Sequence, residues 1–127
     1  SYTHFESAYE TVKSFLTCSL TKKNADNPYT KIILYKVEAC DELSDLAERQ
    51  ARLDREFTTL IGGEIERGQK RGEFRQDKSA RVLTLSVYMN LLGFDTYNAA
   101  QDAGKEGRYF TEEEVAEFVE VILSSLV

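Results

Sequence analysis

The chain has 127 residues, of which 42% are hydrophobic and 30% are charged, and its formal net charge is −6. This length and composition favour one globular domain, residues 1–127, over a disordered chain, and the negative charge argues against broad contact with DNA phosphates. The sequence has neither a signal-peptide pattern nor an apolar run near the ~20 residues that cross a bilayer, so we expect a cytoplasmic protein without a membrane partner.

Two helices are predicted in the first third of the chain. Apolar residues recur at three- and four-residue steps from Phe5 to Leu20, which indicates one amphipathic helix. Asn27 followed by Pro28 is typical of an N-cap with proline in the first turn, so a second helix is expected to follow, through Cys40. Cys18 and Cys40 lack CxxC or metal-ligand spacing, and we expect both to be reduced thiols packed within helices.

A third helix is predicted from about Asp41 to Arg71, which would be roughly 45 Å long at 1.5 Å per residue. Gly62 and Gly63 lie inside this pattern. Because each glycine costs about 1 kcal/mol relative to alanine in a helix, the pair marks a place where the helix bends or another backbone packs closely. We expect the helix to continue through it.

The stretch RGQKRGEFRQDKSA, residues 67–80, predicts a sharp corner between two long helices. Gly72 is placed as the left-handed residue just beyond the helix end, with basic residues in the preceding turn. Gly68 lies one turn earlier. We expect Phe74 to anchor the corner to the core and Asp77 to act as the N-cap of the next helix.

The last two predicted helices carry apolar residues on more than one face. The fourth runs from about Lys78 to Ala100, and apolar residues nearly surround it, so burial on two sides is expected. The fifth begins at Thr111, which forms a capping box with Glu114, while Phe110 and Val115 have the spacing of a hydrophobic staple. The sequence therefore predicts an all-α fold, an antiparallel bundle of about five helices, with another subunit covering the second faces.

The segment IERGQKRGEFRQDKSARVLTLSVYMNLLGFDTY resembles the C-terminal regulatory domain of the TetR family of bacterial transcriptional regulators. Its G-x-x-x-G-E-aromatic corner, acidic cap and glycine-containing apolar helix carry the resemblance, which covers residues 57–100; the rest agrees in helix order and length. The family implies a helix-turn-helix that binds an operator, followed by a helical domain that dimerises and binds a small ligand. No helix-turn-helix is visible here, so we expect the effector-binding half, with operator DNA bound only through an absent N-terminal domain.

The resemblance also implies which residues form the sites. The fourth and fifth helices would pair with their symmetry mates in a four-helix bundle, and the ligand would lie among the middle helices. The candidates for the dimer interface are Leu85, Tyr88, Leu92, Phe118, Val121 and Ser125. The candidates for binding an apolar or aromatic effector, chosen on core-facing stripes, are Phe15, Cys18, Tyr35, Phe57, Tyr88, Asn90, Phe94 and Tyr97.

Other functional readings are weaker in this sequence. The single histidine, His4, has no nucleophile at a fixed spacing, so neither an enzyme nor a catalytic residue is predicted, and no cofactor or metal is expected. The basic residues of the corner are expected to complete helix ends and to offset neighbouring glutamates. The expected function is the ligand-sensing, dimerising domain of a repressor that a small molecule releases from DNA. The alternative is a helical dimerisation or adaptor protein without a ligand pocket.

Overall fold

The structure is a computed structural model that describes residues 6–25, 44–101 and 108–127. Within these ranges the chain forms four helices and no strand, which confirms the all-helical fold class. The predicted second helix, with Tyr35 and Cys40, and also His4 lie outside the described residues, so a count of five helices stays a prediction. The four helices are α1 (Ala8–Ala25), α2 (Ser44–Lys70), α3 (Ala80–Ala100) and α4 (Glu112–Ser124).

Helix α1 is the centre of the bundle, since it packs against α2, α3 and α4. Its apolar residues Ala8, Val12, Leu16 and Leu20 are completely buried. They are spaced by four residues, so they form one continuous stripe on the helix. Burying a leucine or valine side chain contributes about 1.5–3 kcal/mol to folding, and this stripe is therefore a principal source of stability.

Helix α2 runs without interruption through the glycine pair, as predicted. A Cβ built on Gly62 would lie 3.5 Å from the Thr84 hydroxyl of α3, whereas one built on Gly63 would have no neighbour within 4 Å. Gly62 therefore marks the close approach of α2 and α3, with Ile61 and Ile65 buried beside it. Gly63 faces open space.

The corner between α2 and α3 has the expected geometry. Gly72 has a φ of +76°, the left-handed conformation that glycine adopts without a steric penalty. The amides of Glu73 and Phe74 both donate to the Gly68 carbonyl, at 2.8 and 3.2 Å, and close the helix end. The Phe74 ring is buried and lies over Gly68, and the Arg75 amide donates to the Leu126 carbonyl at 2.7 Å.

The predicted N-cap of α3 was wrong by two residues. Ser79 is the cap, because its hydroxyl accepts the Val82 amide at 3.1 Å. Asp77 instead receives two hydrogen bonds from the Arg75 guanidinium, at 2.6 and 2.7 Å. This paired arrangement is a strong form of carboxylate recognition, and it holds the pKa of Asp77 at about 2. The carboxylate that the sequence pattern assigned to the helix end is thus hydrogen-bonded to the guanidinium instead.

The start of α4 forms the predicted capping box. The Glu114 amide donates to the Thr111 hydroxyl at 3.1 Å, and the Thr111 amide donates to the Glu114 carboxylate at 3.0 Å. Phe110 and Val115, the expected hydrophobic staple, are both buried. A contact that the sequence did not indicate joins α1 to this point: the Asn24 side chain donates to the Phe110 carbonyl at 2.9 Å and accepts the Phe110 amide at 3.3 Å.

The fold gives no sign of a membrane-spanning element in the part of the chain that is described. None of the helices there combines the length and the apolar character needed to cross a bilayer.

Candidate functional site

Helix α3 separates two concave surfaces on the molecule. The first, the α1–α3 cleft, has a volume of about 450 Å³ and is lined by residues of α1, α2 and α3. The second, the α3–α4 groove, has a volume of about 490 Å³ and is lined by α3, α4 and Phe110, with Leu20 of α1 also contributing. Because the two surfaces share α3, residues on different faces of this helix line different surfaces.

Aromatic rings from three different helices meet in the α1–α3 cleft. The ring centroid of Phe57 lies 5.3 Å from that of Phe15 and 5.3 Å from that of Tyr88, and all three side chains are half-buried. These distances are typical of favourable tilted ring contacts. The structure therefore brings together three of the predicted ligand residues, one from each helix.

The rim of the cleft is charged. The Lys23 ammonium and the Asp95 carboxylate form an ion pair at 3.0 Å, with both side chains partly exposed, and Asp54 and Glu56 of α2 also line the opening. An apolar floor with a few polar groups at its edge is the usual composition of a small-molecule site. The arrangement suits a ligand that has an aromatic or aliphatic body and a polar end.

Two other predicted ligand residues were Tyr35 and Cys18. Tyr35 lies outside the described residues. Cys18 is exposed, contrary to the expectation that it faces the core. The buried stripe of α1 includes Leu16 and Leu20, and a residue halfway between them points about 200° away from each, to the opposite side of the helix.

The remaining ligand candidates line the α3–α4 groove, together with two of the predicted dimer residues. Phe94 packs against Phe110 and Phe118, with ring centroids 5.0 and 5.8 Å apart, and Tyr97 stacks on Phe110 at 6.1 Å. Val121 of α4 forms part of the opposite wall. The predicted ligand set is thus divided between two surfaces on opposite sides of α3.

Asn90 and Tyr97 are exposed, although the sequence placed both on core-facing stripes. The Asn90 side-chain amide donates to the Ser86 carbonyl of its own helix at 2.9 Å, so this amide has a local hydrogen-bond partner without being buried. A hydrogen bond with Tyr97 raises the pKa of Tyr109, whose ring centroid lies 5.9 Å from that of Tyr97. Of these two tyrosines, Tyr97 lines the groove.

Large apolar side chains remain exposed along α3 and α4. Val82, Met89 and Val121 have 56%, 65% and 67% of their surface accessible. The seven-residue step from Val82 to Met89 places both on one side of α3, and that spacing is the sequence signal for this exposed apolar side. Gly93, one turn further, lines the groove, and a Cβ there would have no neighbour within 4 Å.

The predicted dimer residues do not form a single patch. Phe118 and Val121 line the α3–α4 groove, whereas Tyr88 and Leu92 line the α1–α3 cleft. Leu85 is half-buried on the α2 side of α3, and the exposed Ser125 donates its hydroxyl proton to the Ile122 carbonyl at 2.6 Å. The exposed apolar surface is therefore centred on Met89, Gly93 and Val121.

Three arginines of the corner form ion pairs within the chain, two of them with the neighbouring glutamates that were expected. Arg67 pairs with Glu64 at 2.7 Å, Arg71 with Glu73 at 3.4 Å, and Arg75 with Asp77 at 2.6 Å. Across the described ranges, no group of three or more histidine, cysteine, aspartate or glutamate side chains has the arrangement to hold a metal ion.

Comparison with known proteins identifies no relative of this chain. No protein-family model matches the chain, and no curated protein or solved structure matches it. The resemblance to TetR regulators is carried by residues 57–100 and stays a prediction.

Proposed function

We propose that this chain is the small-molecule-sensing and dimerisation domain of a TetR-type transcriptional regulator, a repressor that a ligand releases from DNA. The observation that supports this function is the position of α3 between two apolar concavities. One is an open cleft with aromatic rings from α1, α2 and α3, and the other is a groove edged by exposed hydrophobic side chains. A ligand site and a subunit interface on either side of one helix are what such a regulator requires.

The α3–α4 groove supports a homodimer. Exposed apolar patches edged by polar residues are typical of protein interfaces, and a two-fold interface needs a patch that is complementary to itself. Helix α3 has 21 residues, and at 1.5 Å per residue its exposed side extends about 31 Å. With α4 beside it, the surface has the length needed to approach the ~800 Å² per partner of a stable dimer.

The α1–α3 cleft supports an apolar or aromatic effector. Its volume of about 450 Å³ falls within the usual range for small-molecule sites. A ligand that prefers one arrangement of α1, α2 and α3 shifts the equilibrium towards it by its difference in affinity. The resulting movement of α1 would change the spacing of two DNA-reading domains relative to their half-sites.

The dimer is tested with two matched valine substitutions. Val121 lines the groove, whereas Val127 lies outside its lining, and both are exposed, at 67% and 60%. By size-exclusion chromatography with light scattering, the unmodified chain of 14.5 kDa should have a mass of about twice that value. Val121→Glu should give a folded monomer and Val127→Glu should remain a dimer. A monomeric unmodified chain would remove the dimer from the proposal.

The ligand site is tested by filling the cleft. Ser19 lines the cleft and Thr17 is exposed elsewhere on α1, so Ser19→Trp and Thr17→Trp place the same bulky ring inside and outside it. With Nile red as a neutral aromatic probe, Ser19→Trp should lower the bound fluorescence at least several-fold, and Thr17→Trp should not. A dimer whose Nile red binding is the same in both variants would favour the alternative, a dimerising adaptor without a ligand pocket.

A further inference from the structure

The start of α1 depends on a residue far away in the sequence. The first amides of any helix have no partner within that helix and must find one elsewhere. Here the Ala8 amide donates to Glu73 Oε2 at 3.2 Å, and the Tyr9 amide donates to Glu73 Oε1 at 3.3 Å. The Ser7 hydroxyl also donates to this carboxylate, and its oxygen accepts the Glu10 amide at 3.3 Å. One carboxylate from the corner thus binds the first turn of α1.

Two arginines of the same corner hold the residue that precedes α1. The Glu6 carbonyl accepts hydrogen bonds from Arg67 and Arg71, at 2.5 and 2.6 Å. Arg71 also lies 3.4 Å from the Glu73 carboxylate. The hydrogen bond from Ser7 is the largest cause of a lowered pKa at Glu73. Burial opposes it, and the amides of Tyr9 and Ala8 and the charge of Arg71 add to the lowering. The lowered pKa favours the ionised form of the carboxylate that binds α1.

The opposite side of the corner contacts the turn that follows α4. The Arg75 amide donates to the Leu126 carbonyl at 2.7 Å, and Leu126 is completely buried. Between these two attachments lies Phe74, which is buried and whose ring centroid is 6.3 Å from that of Tyr9. Residues 67–75 consequently touch both the first turn of α1 and the turn that follows α4.

We propose that residues 67–75 form a clamp that couples the end of α4 to the first turn of α1, with Glu73 as the residue that transmits the coupling. A change in the packing of α4 then alters how firmly the start of α1 is held. The regulatory meaning rests on the proposed function, in which α4 contributes to the dimer and the segment before α1 leads to the DNA-reading part. The coupling itself needs neither, and it can be measured on the isolated chain.

The first test is amide hydrogen exchange of the intact chain, followed by NMR. Because Glu73 is the partner of the Ala8 and Tyr9 amides, Glu73→Gln should speed their exchange by about tenfold, while Ile61 and Ile65 remain as before. Glu66→Gln is the matched control, since it removes the same charge from an exposed position of α2. Equal exchange at Ala8 and Tyr9 in the unmodified chain and in Glu73→Gln would overturn the clamp.

The second test is a double-mutant cycle across the corner. Leu126→Val loosens the end of α4 and should speed exchange at Ala8 and Tyr9; in the Glu73→Gln background it should add little, because the connection is already lost. Additive effects would overturn the coupling. Chromatography of the same samples reports the oligomeric state separately, so a monomer with a non-additive cycle contradicts the proposed function alone. A dimer with an additive cycle contradicts the clamp alone.

Discussion

Gly68 is the position where a single methyl group should do the most damage to the corner. A Cβ built there would lie 2.2 Å from Cδ2 and 2.6 Å from Cε2 of the Phe74 ring. Ordinary carbon contacts are about 3.5–4.0 Å, so the ring would have to move by more than about 1 Å. Phe74 is only 3% exposed, and the surrounding core leaves it no free direction.

The size of the effect follows from two opposing contributions. Alanine gains about 1 kcal/mol over glycine in a helix interior. Overpacking a core costs about 1–3 kcal/mol, and complete loss of a buried phenylalanine contact costs about 3–5 kcal/mol. Since the clash involves several ring atoms, we expect Gly68→Ala to lower the free energy of unfolding by about 2 kcal/mol after the helix gain is subtracted.

Gly63 provides the control on the same helix. A Cβ there meets nothing within 4 Å, so Gly63→Ala should raise the free energy of unfolding by about 0.5–1 kcal/mol. Urea denaturation followed by circular dichroism should separate the free energies of unfolding of the two variants by about 3 kcal/mol. In a thermal melt this difference corresponds to roughly 10 °C in midpoint temperature. Phe74→Leu should relieve part of the clash in a double mutant. A Gly68→Ala variant as stable as Gly63→Ala would refute the packing explanation of this glycine.

Three further predictions concern other parts of the fold. Asn24→Ala leaves the buried amide and carbonyl of Phe110 without partners, and denaturation should show a loss of about 3 kcal/mol. The lowered pKa of Glu73 means that its stabilising contribution is present above its usual value of 4.5 and is lost as the pH falls through the lower folded value; acid titration of Glu73→Gln should therefore show a shallower loss of stability in that range. Gly93→Ala should stabilise the monomer by up to about 1 kcal/mol yet weaken the proposed dimer, which analytical ultracentrifugation measures.

The features that sequence reasoning found correctly are determined within a few residues. Thr111 and Glu114 bond to each other across three positions, and Gly72 needs only its own backbone conformation. The N-cap of α3 was missed because two competent residues, Asp77 and Ser79, lie close together. Arg75 decides between them, because its two hydrogen bonds engage the Asp77 carboxylate and leave Ser79 to cap the helix.

The contacts that hold the ends of the bundle could not be obtained from local patterns. Glu73 binds the amides of Ala8 and Tyr9 from a position more than sixty residues away, and Asn24 binds Phe110 across 86 positions. A polar residue in such a pairing looks like any surface residue until the helices are placed. The same holds for the candidate site: apolar periodicity identifies the helical faces of α3 but not which neighbour each one meets.

The position of α3 between the cleft and the groove predicts that the two surfaces are coupled. Tyr88 and Leu92 face the cleft, while the adjacent residues Met89 and Gly93 face the groove. Since close-packed interiors have low compressibility and transmit strain, a ligand that displaces α3 from one side should change the surface on the other. Coupling between binding sites is reciprocal and is typically 5- to 150-fold in affinity, as an order of magnitude. Filling the cleft with Ser19→Trp should therefore change the dimer dissociation constant by about fivefold or more. An unchanged constant would mean that the cleft and the dimer face act independently, and it would contradict a regulator that is controlled through α3.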